Sequence, residues 1–157
     1  MALEDINIPQ EEIERIVTDV INLFLIPKFR ELGMPASGEW EQNVHARGNE
    51  IWGRDYTEYM AQGRPPNQDQ SPEALKRWVG WAGSTVLKDW VNAKGLNINP
   101  YAVAYKIAIE GTEYYPSGTD LLEVLESQEV TDYIAQEIGV FLVAHFRTEF
   151  RREFETA

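Results

Sequence analysis

The stretch Asn49–Pro66, NEIWGRDYTEYMAQGRPP, constrains the fold more than any other because it ends in two consecutive prolines. Each proline lacks a backbone donor and biases the residue before it away from the helical region. Gly63-Arg64-Pro65-Pro66 is therefore expected to form a stiff corner that ends any sheet, with Gly63 at positive φ. Upstream, alternation puts Ile51, Gly53, Asp55, Thr57 and Tyr59 on one face and Trp52, Arg54, Tyr56, Glu58 and Met60 on the other. Ile, Trp, Tyr and Thr fit a pleated, half-buried surface, which predicts a strand carrying aromatics to that corner.

The flanking segments are mostly helical in pattern. Over Pro9–Leu32, Ile13, Ile16, Val17, Val20, Ile21 and Phe24 recur at helical spacing, and Glu11, Glu12 and Glu14 fill the first turn, where the helix dipole favours acids. Pro27 is expected to kink this helix or end its first part near Ile26. Glu39–His45 reads as a short strand, and Arg47-Gly48-Asn49 as the turn of an antiparallel hairpin. Ser71-Pro72-Glu73 starts a helix with a serine cap and proline in the first position. Leu75, Trp78, Val79 and Ala82 form its stripe, with Trp81 off that stripe. Up to Gly95 the pattern predicts two helices, the second capped by Ser84, or one bent helix, and Asn99-Pro100 starts a further one that Gly111 closes. Leu121–Leu125 has no clear type. From Ser127, Val130, Tyr133, Ile134, Ile138, Phe141, Leu142 and His145 mark a long C-terminal helix.

These elements define a helix-rich α+β fold with long N- and C-terminal helices and a small antiparallel sheet. At 157 residues the chain is read as one domain, 1–157, with enough length for a core. No cysteine is present, which excludes disulfides, thiol nucleophiles and thiolate metal sites. The first residues show no basic leader followed by an apolar run, so no signal peptide is expected, and the longest apolar block, Leu23–Ile26, is too short to span a bilayer.

Catalytic chemistry has no visible carrier. His45 and His145 lack metal-ligand spacing, and neither a phosphate loop nor a nucleophile elbow occurs. Paired carboxylates at Glu11-Glu12 and Glu39…Glu41 are explained by solvated faces. The expectation is no enzyme, no cofactor and no metal. The formal charge of −12 repels nucleic acid and is unevenly spread: residues 71–111 sum to +2, whereas residues 112–157 sum to −7. Within that acidic end, Phe146, Arg147, Phe150, Arg151 and Phe154 place aromatics beside arginines. That composition marks protein contacts, and they are the candidate interface.

The motif Gly-x-Asp-Tyr-x-x-Tyr-x-x-x-Gly-Arg-Pro-Pro over Gly53–Pro66, followed by an amphipathic helix with a Trp, resembles small virion proteins of tailed phages, the tail-completion and head–tail joining (neck) family. Ser37-Gly38 stands where that family has a Thr-Gly turn. WVNAKGL at Trp90–Leu96 is similar to its Trp helix ending in Lys-Gly, and AVAYKIAIEGT at Ala102–Thr112 resembles its short helix closing on Gly-Thr. The likeness covers residues 36–112, about half the chain. It implies a non-enzymatic structural protein found in the virion, and in the host cytoplasm during assembly. Its expected form is a cyclic homo-oligomer, six-fold or twelve-fold, contacting portal, neck or tail subunits while the genome passes nearby without specific binding. The longer Trp78–Asp89 region and the acidic C-terminal helix depart from the pattern. The competing reading is a small acidic inhibitor or DNA mimic that occupies a nucleic-acid-binding partner.

Overall fold

The computed structural model describes residues 7–156, and their side chains except at position 146 and positions 148–156. The chain opens with α1 (Gln10–Val20), a π turn (Ile21–Leu25) and α2 (Ile26–Glu31), which form one continuous helical rod. Pro27 explains the π turn. A regular α-helix would drive its ring into the carbonyl four residues back, and the wider turn just before it relieves that clash. The break thus falls at Ile21–Leu25 and the rod continues to Glu31. Its buried face is Ile16, Val20, Ile21, Leu25 and Phe29.

Two strand expectations are corrected. Glu39–Asn43 is a helix, α3, and only His45–Arg47 is strand β1. Gly38 at φ 85° starts that helical turn, which turns Trp40 inward onto Phe29 with ring centroids 4.4 Å apart. The Trp40 indole N–H then donates to Thr57 Oγ1 at 2.9 Å, so its polar edge is satisfied as its body is buried. The second strand, β2, covers only Glu50–Trp52, and Thr57–Gln62 is helix α4. With β1 three residues long, nothing continues the ladder past Trp52. Instead the Arg54 carbonyl accepts from both the Thr57 N–H and the Thr57 hydroxyl, closing the turn that nucleates α4. The hairpin itself is as expected: β1 and β2 are antiparallel, Arg47 faces Glu50, and Gly48 and Asn49 form the turn.

Beyond the proline corner come α5 (Pro72–Ser84), α6 (Val86–Lys94) and α7 (Pro100–Glu110), with α5 packed most extensively on α7. Ser71 and Asn99 cap α5 and α7 as expected, accepting from the N–H groups of Ala74 and Tyr101. Ser84 does not cap α6. It belongs to α5 and its hydroxyl donates back to the Gly80 carbonyl at 2.7 Å, while Thr85, at φ −124° and ψ −98°, makes the break. Ala82, Ala104 and Ala108 are fully buried, so these helices meet at close range.

A 3₁₀ turn (Glu123–Glu126) leads into α8 (Gln128–Thr156), capped by Ser127. Tyr133 donates to Asp19 at 2.8 Å and Arg15 to Glu137 at 2.9 Å, so α8 runs antiparallel to α1, stepping four residues up one helix for four down the other. The main core joins Ile21, Leu25, Phe29, Trp40, Val44 and Leu121. Burying side chains such as Leu25 and Phe29 contributes about 1.5–3 kcal/mol each.

Candidate protein-docking site

The Gly63–Pro66 corner is built by close backbone contact with the loop after α7. Gly63 has φ 83° and ψ 153°, a conformation essentially closed to other residues. A Cβ there would meet the Tyr115 backbone nitrogen at 2.5 Å. From the other side, a Cβ on Gly111 would meet the Arg64 carbonyl oxygen at 2.7 Å. Hydrogen bonds lock the two segments: Arg64 N–H donates to Thr112 Oγ1 at 2.8 Å, Thr112 N–H to the Arg64 carbonyl at 2.9 Å, and Asn67 N–H to the Ala108 carbonyl at 2.8 Å.

Fixing that backbone aims one side chain. The Arg64 guanidinium lies over the Trp78 ring, 4.4 Å from its centroid, and donates to Asn67 Oδ1 at 2.8 Å and the Pro65 carbonyl at 3.2 Å. Burial lowers its pKa from the ordinary arginine value. Tyr59, Pro65, Pro66, Arg77 and Trp81 complete an open groove of about 630 Å³ around this pair. Trp81 is 55% exposed and Tyr59 52%. A planar cation stacked on an indole, with two exposed aromatics beside it, suits a partner offering a carboxylate next to apolar groups.

The structural corner Gly63, Arg64, Pro65 and Pro66 thus sits at the centre of this site. The sequence-predicted interface lies on α8. Arg147 is exposed on α8, and the side chains of Phe146, Phe150, Arg151 and Phe154 lie outside the described residues. His145 stacks on Phe141 with ring centroids 6.1 Å apart, and His45 is exposed. Glu12 pairs with Arg15 at 2.6 Å, and Glu39 with Arg54 at 2.8 Å. Among the described residues no group of three His, Asp or Glu side chains is placed to hold a metal ion, and no helix is long and apolar enough to cross a membrane. A second depression along α1 is lined by Glu11, Glu14, Asp19 and Arg15, and Arg15 is already paired.

The sequence pattern placed Tyr59 in a strand and Trp78 on the apolar stripe of α5, and so missed the groove. Its one signal was Trp81 standing off the α5 stripe. No family model, curated protein or solved structure matches the chain.

Proposed function

We propose that this protein is a structural component of a tailed-phage particle, a subunit of a tail-completion, neck or connector ring joining head and tail. The resemblance over residues 36–112 supplies the class. The observation that carries the ring is that large apolar side chains are exposed at several places along one chain, two of which differ in kind. Tyr59 and Trp81 flank the proline corner, while Val140 and Val143, 62% and 51% exposed, lie on α8. Two unlike patches on one subunit suit head-to-tail association, which closes into a ring when the rotation allows. Portal, neck or tail proteins would then contact the ring faces, and the acidic surface would leave passing DNA unbound.

The test is the mass of the purified chain by light scattering, with negative-stain images of the same sample. Closed rings are expected. A chain that stays monomeric or dimeric at every concentration overturns the ring reading. That outcome would favour the acidic-mimic alternative, which draws on the −12 charge and the carboxylates Glu11, Glu14 and Asp19 along α1.

A further inference from the structure

Resting on that ring reading, the structure also points to which surfaces meet. Arg64 is half-buried, and its two side-chain hydrogen bonds go to an amide oxygen and a backbone carbonyl. Among the described residues neither Arg64 nor Arg77 has a carboxylate within ion-pair distance. Asp69, on the groove wall, accepts from the Ser71 N–H at 2.9 Å and feels the charge of Arg77 without reaching ion-pair distance. The groove therefore offers two guanidinium groups and two exposed aromatics, with the acid still to be supplied.

The complementary surface is the outer face of α8. Glu129, Asp132, Gln136, Val140 and Val143 are all exposed. At about 100° per residue they fall within roughly 80° of the helix, turned away from Val130, Ile134 and Phe141. Carboxylates lead this row and two exposed valines follow. A Cβ at the adjacent Gly139 would meet nothing within 4 Å, so a neighbour can come close to the helix there. The charges match as well, since residues 71–111 sum to +2 and residues 112–157 to −7.

We infer that the outer face of α8 in one copy docks into the Tyr59–Trp78–Trp81 groove of the next. Glu129 and Asp132 face Arg64 and Arg77, and Val140 and Val143 cover Trp81 and Tyr59. Trp, Tyr and Arg are the residues enriched at interface hot spots, and the groove supplies all three. Because the contact joins unlike surfaces, it propagates from copy to copy.

The test uses the full chain as wild type, as Arg77→Glu/Trp81→Glu, and as Val140→Asp/Val143→Asp, all at exposed positions, with circular dichroism confirming an unchanged fold. Each double variant alone should be monomeric by light scattering. Mixed in equal amounts they should form a heterodimer that grows no further, because one intact groove meets one intact α8 face and the remaining surfaces are blocked. Wild-type assembly should weaken as salt rises. Rings that persist in either variant, or a mixture of folded variants that stays monomeric, overturn the docking assignment and leave the ring reading standing. Loss of assembly in the groove variant alone also overturns it, placing another segment or another protein in the groove. A wild type that is monomeric throughout removes both.

Discussion

At the scale of single residues, backbone conformation and steric contact separate glycines that look alike in sequence. Gly95 ends α6 at φ 66° with nothing within 4 Å of an added Cβ, so Gly95→Ala should cost only about 1–2 kcal/mol of left-handed strain. Gly63 adds a backbone clash with Tyr115 to a conformation reserved for glycine, and Gly63→Ala should cost about 3 kcal/mol or more. Urea unfolding of the two variants checks this, and equal midpoints would refute it. A second residue-scale prediction concerns Lys28 and Asp120, 2.7 Å apart. The hydrogen bond from Lys28 lowers the Asp120 pKa, and Asp120 raises that of Lys28. The depressed carboxyl contributes stability above its unfolded pKa of about 3.9, lost as pH falls through the folded value. The raised lysine contributes below its unfolded pKa of about 10.4, lost as pH rises through the folded value. Asp120→Asn should therefore lower Tm at neutral pH, and the difference from wild type should shrink at both extremes. A difference unchanged at low pH would count against it.

At the scale of elements, the informative feature is how helices end and meet. Most helix starts and stops were legible because each depends on one or two local residues: Ser71-Pro72, Asn99-Pro100, Ser127, Gly95 and Gly111 act where expected, whereas Ser84 does not. The strands were not legible, because a strand needs a partner. Beyond Trp52 the hairpin has no partner strand to continue it, and the β-prone residues Tyr56, Thr57 and Tyr59 turn into α4. The α5–α7 contact depends on small residues: a Cβ at Gly83 would run into the Tyr101 ring, and Ala82 and Ala104 are both 0% exposed. Ala104→Leu should overpack that contact and destabilise by about 1–3 kcal/mol in thermal or urea unfolding. An unchanged midpoint would mean the helices separate at little cost.

At the scale of the whole molecule, α8 is the element that exceeds what the core needs. Its 29 residues reach about 43 Å at 1.5 Å per residue, yet its hydrogen bonds to α1 lie at Tyr133 and Glu137, in the first third. Removing residues 146–157 should therefore leave a folded chain with wild-type circular dichroism. Assembly should weaken without being lost, because the candidate interface Phe146, Arg147, Phe150, Arg151 and Phe154 is removed while the groove and the Glu129–Val143 row of α8 remain. A truncated chain that assembles as tightly as wild type would refute a role for that segment, and one that unfolds would put the aromatic row in the core.

By itself the sequence determined what depends on near neighbours along the chain. The amphipathic stripes, the Ser71, Asn99 and Ser127 caps, the glycine ends, the Gly48-Asn49 hairpin turn and the proline corner each arise from interactions within a few residues. That covers most of the helical fold and the corner at the heart of the candidate site. Tertiary structure decided the remainder. It stopped β2 at Trp52, turned Glu39–Asn43 into a helix that seats Trp40 on Phe29, and brought Arg64 over Trp78. That last contact depends on the loop after α7 holding the corner from 48 residues away in sequence, through Arg64 N–H and Thr112 Oγ1. Local spacing carries no record of such a pairing, because the order of residues says which backbone can bend and not which distant backbone it will bend against.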